Sequence, residues 1–205
     1  MDIISKYKYK NEGGSPSHSF LLPKTIQILE SLNYPCKRIF EVGCGNGFIA
    51  NELSKKGWNV SGVDPSREGI CLAKNYYPDL DLNIGSAYDR LSDIYGKFPI
   101  VLSIEVIEHL YDPRSYLKEL YNLLDDRGTL IISTPFHGYW KNLLLSLTGK
   151  MDQHFTALWD NGHIKFWSKK TLSLILQESG FNHIKFYLVG RIPPFSKSMI
   201  VVIQK

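Results

Sequence analysis

The stretch that decides the reading is Arg38-Ile39-Phe40-Glu41-Val42-Gly43-Cys44-Gly45-Asn46-Gly47, an apolar run that ends in an acid and passes straight into three alternating glycines. Glycine at 43, 45 and 47 lets the backbone take conformations closed to other residues and lets a ligand approach the main chain. Where such a turn joins a strand to a helix, it holds nucleotide-like ligands at the carboxyl ends of a doubly wound sheet. The next apolar run, residues 59–64, ends in Asp64 and is followed by Pro65, and an acid in that place accepts hydrogen bonds from a ribose. Glu41, the glycine turn and Asp64 therefore reinforce one another. A dinucleotide fingerprint would put its third glycine at position 48, where this chain has Phe48, so a dehydrogenase is the weaker nucleotide reading.

Working outward, strand-like and helix-like segments alternate. The strands are residues 38–42, 59–64, 80–84, 99–104 and 129–134, and the helices are 19–32, 49–56, 66–77, a short one near Asp89, 113–124 and 169–178. Two final strands, residues 183–189 and 199–204, are close enough to pair antiparallel. The expected fold is α/β: a Rossmann-like doubly wound sheet of seven strands, mostly parallel with an antiparallel C-terminal strand, and helices on both faces. Residues 1–17 read as a flexible polar arm and 18–205 as a single domain, with an insertion at about 137–165.

A chain of 205 residues, 43% hydrophobic and 21% charged, suits one well-cored domain. A net charge of +4 with scattered lysines gives no basic stripe for nucleic acid. Cys36, Cys44 and Cys71 lack the paired spacing of a zinc ribbon or a redox dithiol and point to a reducing compartment. There is no apolar segment of the kind a signal peptide or a membrane span needs, so the expectation is a cytoplasmic protein.

With E-x-G-x-G-x-G in place, residues 41–47 resemble motif I of the class I S-adenosylmethionine-dependent methyltransferases. The likeness continues through Asp64, Gly85-Ser86-Ala87-Tyr88-Asp89, residues 103–110 and residues 127–135, covering nearly the whole chain from His18 onward. The resemblance implies S-adenosylmethionine as cofactor and S-adenosylhomocysteine as product. It puts Gly43, Gly45, Gly47, Pro65 and Ile104 along the cofactor, with Glu41 organising the loop and Asp64 taking both ribose hydroxyls. Ser86 and Ala87 would lie beside the adenine, the alternative being an ordinary turn after a strand.

Glu105-Val106-Ile107-Glu108-His109 is similar to an element of ubiquinone-pathway O-methyltransferases and of small-RNA 2′-O-methyltransferases. On a helical turn Glu105, Glu108 and His109 would occupy neighbouring positions. Two carboxylates and an imidazole suit a divalent metal, which could lower the pKa of an acceptor hydroxyl. The small-RNA resemblance adds His163, with His154 as the competing candidate. A metal-free reading makes His109 the general base with Glu105 near the acceptor. A third has Glu108 and His109 only bracing the turn. Where many relatives carry an acid at the opening of the fourth strand, this chain has Pro99.

The insertion holds Tyr139, Trp140, Leu143, Leu144, Leu145, Leu147, Phe155, Leu158 and Trp159. These would wall an acceptor pocket, cover the sheet or form a homodimer contact. Tyr7, Tyr9 and His18 would be a lid or part of a disordered arm. Three functions follow: O-methylation of a small hydroxylated molecule, metal-dependent methylation of an RNA 2′-hydroxyl, or cofactor binding without catalysis.

Overall fold

The computed structural model describes residues 9, 11–160 and 162–205. The chain starts with α1 (His18–Ser31) and then alternates β1 (Arg38–Val42), α2 (Phe48–Ser54), β2 (Asn59–Asp64), α3 (Arg67–Tyr76), β3 (Asp81–Ile84), α4 (Leu91–Tyr95) and β4 (Phe98–Ile104). A 3-10 turn (Ile107–His109), α5 (Pro113–Leu123), β5 (Leu124–Pro135), α6 (Tyr139–Leu147), α7 (Met151–Phe155), α8 (Lys169–Glu178), β6 (Asn182–Val189) and β7 (Ser198–Gln204) follow. The seven strands run in the order β3-β2-β1-β4-β5-β7-β6. β1 to β5 pair in parallel, and β7 is antiparallel to both of its neighbours.

Strand periodicity divides the core. Phe40 and Val42 face a cluster with Tyr116, Leu117, Leu120, Leu172 and Leu176, while Ile39 faces Leu29, Ala50, Leu53 and Ile70 on the other side. Every residue of β4 is buried, as a strand covered on both faces requires. At about 1.5–3 kcal/mol for each large apolar side chain, these two layers hold the sheet rigid beneath its carboxyl edge. Strand order reverses between β1 and β4, which opens the crevice where sheets of this kind bind ligands.

Local chemistry sets the element ends. The Ser66 hydroxyl accepts the Gly69 N–H, so α3 begins one residue later than the spacing suggests. Asp112 caps α5 through the Arg114 and Ser115 N–H groups with Pro113 in the first turn, and Ser168 and Thr171 form a reciprocal cap on α8. The short helix expected near Asp89 starts at Leu91.

Two departures bear on function. Residues 11–17 pack against the glycine turn, unlike the free arm expected. Asn46 donates to the carbonyls of Asn11 and Gly13 at 2.8 and 3.0 Å, Tyr77 donates to the Glu12 carbonyl at 3.1 Å, and His18 stacks on Phe48. Tyr7 and the rest of the first ten residues, Tyr9 apart, lie outside the described residues. In the insertion, α6 and α7 contribute no buried residue, and Phe155 of α7, half-buried, stacks on His137.

Candidate active site

Gly43, Gly45 and Gly47 all take positive φ, +85°, +57° and +78°. A Cβ would meet the Val106 side chain at position 43, the Tyr9 ring at position 45 and the Leu82 methyl at position 47. The turn is thus packed by Val106, just beyond β4, and by Leu82 of β3 with Ala73 of α3, and Tyr9 lies against Gly45. Asp64 is buried, accepting the Gly45 N–H at 2.9 Å on one oxygen and the Ser66 N–H at 2.8 Å on the other. Each carboxylate oxygen keeps a second lone pair for a further donor. Burial raises the Asp64 pKa, opposed by those two N–H donors.

Glu41 is buried with one oxygen unpartnered, and burial followed by the Asp64 charge pushes its pKa up to about 8. Gly85 donates to the Asp64 carbonyl at 3.1 Å, which draws the turn after β3 against β2. In that turn the Ser86 N–H meets Asp89 at 2.6 Å, and Ala87 packs on the core. Pro65 follows Asp64, and Ile104 is the buried last residue of β4. The cofactor-half residues singled out from the sequence thus gather along the carboxyl edge of β1 to β4.

Residues 105–109 are arranged differently from a single helical turn. Only residues 107–109 are helical, and Glu105 ahead of them sits at φ +55°, a conformation uncommon for a non-glycine residue and found at functional sites. Its N–H reaches the Ser133 carbonyl and hydroxyl at 3.2 and 3.1 Å, and its carboxylate accepts the Ser133 hydroxyl at 2.8 Å. Burial raises the Glu105 pKa to about 7, opposed by the Ser133 and Ser198 hydroxyls and the Lys141 ammonium. Lys141, itself lowered to about 8 by burial and Arg191, is held on the Phe136 carbonyl at 2.7 Å.

Glu105 therefore lies outside the group that the helical spacing would form. Among the described residues, the ligand atoms of Glu108, His109 and His163 lie within 4.8 Å of one another, without Glu105 or His154. The Glu108 carbonyl accepts the Ile164 and Lys165 N–H groups at 2.9 and 3.0 Å, which pins residues 162–167 beside the turn. His163 then meets His109 ring to ring at 4.9 Å. His109 Nδ1 is 3.2 Å from the Gly162 carbonyl, which can only accept, so Nδ1 carries a proton in this contact. Both Glu108 oxygens are buried without a hydrogen-bond partner, and burial with the Glu105 charge holds its pKa well up. A buried, unsatisfied carboxylate beside two imidazoles fits a divalent cation.

His154 instead stands 5.4 Å from His137, a buried residue just beyond β5. Burial lowers the His137 pKa to about 3, helped by the charges of Lys141, His154 and His163. Sequence reasoning missed Asn46, Ser133, His137, Lys141 and Ser198. His137 carried a signal, since it follows a strand at the sheet's carboxyl edge. The serines carried none before the strand order was known.

A methyltransferase-domain family model matches residues 17–185. The chain belongs to the class I S-adenosylmethionine-dependent methyltransferases. This methyltransferase is 34% identical over 114 residues to a ubiquinone biosynthesis O-methyltransferase of Bradyrhizobium diazoefficiens, covering 55% of this chain and 45% of the relative. It is 26% identical over 161 residues to the enzyme of that name from Hydrogenovibrio crunogenus, covering 77% and 65%. The methyltransferase thus spans less than two thirds of the length of these curated relatives. Among solved structures, the methyltransferase domain of bacterial CtHen1-CN aligns at TM-score 0.66 and 24% identity over 90% of this chain and 97% of that one. Magnesium protoporphyrin IX methyltransferase from Synechocystis PCC 6803, with bound S-adenosylhomocysteine, aligns at 0.68 and 18% over 90% and 83%. At these identities the likeness is one of fold. No described helix of the methyltransferase is long and apolar enough to cross a membrane.

Proposed function

We propose that this methyltransferase methylates a hydroxyl oxygen of a small molecule, with Glu105 taking the hydroxyl proton. The observation that carries this is a half-buried carboxyl in a left-handed backbone position just beyond β4, held by the Ser133 hydroxyl, with desolvation raising its pKa to about 7. A base poised there is half ionised near neutral pH, where proton abstraction is most effective. The relatives named ubiquinone biosynthesis O-methyltransferases support oxygen as the acceptor atom.

S-adenosylmethionine supplies a methyl already activated on a sulfonium, so the protein's work is alignment and exclusion of water. In this reading Glu41, Gly43, Gly45, Gly47, Asp64, Pro65, Ser86, Ala87 and Ile104 form the cofactor bed. The Ser133 hydroxyl holds the Glu105 carboxylate in place, and Lys141 stabilises its ionised form. As the acceptor oxygen bonds to carbon and the carbon–sulfur bond breaks, the hydroxyl proton passes to Glu105. The test is transfer of radiolabelled methyl to a panel of phenols, catechols and sugars, with Glu105→Gln as the control. Label on nitrogen or carbon, or undiminished transfer by Glu105→Gln, would refute the assignment.

The grouping of Glu108, His109 and His163 favours a second reading, in which a divalent cation held there polarises the acceptor, including an RNA 2′-hydroxyl. Activity lost to a chelator and restored by manganese would support it. Methyl transfer to RNA unaffected by the chelator would remove the metal.

A further inference from the structure

The α6 helix that follows the catalytic edge turns its apolar side away from the protein. Trp140, Leu143, Leu144 and Leu147 recur at the spacing of one helical stripe, and they are 58, 36, 49 and 76% exposed. A stripe of this kind normally seats a helix on its core, yet α6 has no buried residue. The loop joining β6 to β7 adds Ile192 and Phe195, 82 and 41% exposed. The two segments are neighbours: Lys141 donates to the Phe136 carbonyl and, at 3.4 Å, to the Lys197 carbonyl, which also accepts the Phe136 N–H at 3.0 Å.

Their charge is one-sided. The exposed charges of residues 138–151 and 190–198 are Lys150, Arg191 and Lys197, with Asp152 the first acid beyond them, while Lys141 turns inward onto the Phe136 and Lys197 carbonyls. Lys150 directly follows the stripe, its N–H on the Leu145 carbonyl, and both Lys150 and Arg191 are exposed. Exposed tryptophan, tyrosine and leucine rimmed by cations, on a helix of nine residues, match a segment that lies in a lipid interface. A second copy docked face to face would oppose cation to cation across the contact.

We propose that α6 and the Arg191–Lys197 loop form a docking surface for an anionic lipid bilayer, the apolar stripe entering the interface and the cations meeting lipid headgroups. The surface borders the acceptor side of the site through Lys141, but docking does not depend on which acceptor is methylated.

The test is co-sedimentation of the full chain with phosphatidylcholine vesicles, with and without phosphatidylglycerol. Binding is expected only to the phosphatidylglycerol vesicles and is weakened by high salt. The double variant Trp140→Ser/Leu147→Ser should lose about tenfold or more in partition, from the apolar area withdrawn. Ile94→Ser, equally exposed on α4, should bind as the parent does. Titration with S-adenosylhomocysteine should be unchanged in both variants, which separates lost docking from lost folding. No binding to anionic vesicles, or equal binding by the double variant, would overturn the proposal. So would a dimer that dissociates in the double variant while vesicles are ignored, since that assigns the face to a second copy.

Discussion

Replacing Glu105 with glutamine should make the protein more stable at alkaline pH while removing its activity. Burial raises this carboxyl from 4.5 to about 7, so the folded state holds its proton more tightly than the unfolded chain. The stability this provides is fully present below the unfolded pKa and is lost as pH rises through about 7. With each unit worth about 1.4 kcal/mol, ionised Glu105 costs the fold roughly 3 kcal/mol above that range. Glutamine keeps the hydrogen bond to Ser133 and carries no charge. Thermal unfolding at about pH 8.5 should therefore rise by up to roughly 6–12 °C in Glu105→Gln, with little difference at about pH 4. Methyl transfer should fall by about 10²–10⁴-fold, and the rise of kcat/KM with pH centred near 7 should disappear. A variant less stable than the parent at alkaline pH, or one that keeps the same pH profile, would refute the reasoning.

Other outcomes follow from the same geometry. Asn46→Ala removes two hydrogen bonds to residues 11–13, each worth about 1 kcal/mol, and should expose the segment before His18 to faster limited proteolysis. Gly47→Ala forces a Cβ against Leu82 at φ +78° and should cost about 1–3 kcal/mol, read as a lowered Tm. If Glu108, His109 and His163 hold a cation, His163→Ala should weaken manganese binding about tenfold or more by calorimetry and leave S-adenosylhomocysteine affinity unchanged.

What the sequence made legible was local. The Glu41 to Gly47 turn, Asp64 six residues into the next strand, and helix α8 all depend on neighbours within a few residues. Parallel order followed from alternation, and the antiparallel end from two adjacent strands. The setting of Glu105 was hidden because Ser133 and Ser198 reach it only through the pairing of β4 with β5 and of β5 with β7. A helical reading of residues 105–109 missed that Glu105 is left-handed and bonded to Ser133, outside the 107–109 turn, although its charge still acts on Glu108. The packing of residues 11–17 on Asn46 was illegible for the same reason of distance along the chain. For residues 139–147 the sequence showed an apolar-rich insertion without saying whether protein or solvent lies against it.

The most direct test of the central claim is calorimetric titration of the purified chain with S-adenosylhomocysteine, repeated for Asp64→Ala. Asp64 bridges the Gly45 and Ser66 N–H groups, and in the proposed cofactor bed it would take the ribose hydroxyls. Saturable binding in the parent and its loss in a folded Asp64→Ala variant are predicted. No binding by the parent, or equal affinity in Asp64→Ala, would contradict the account of the cofactor site.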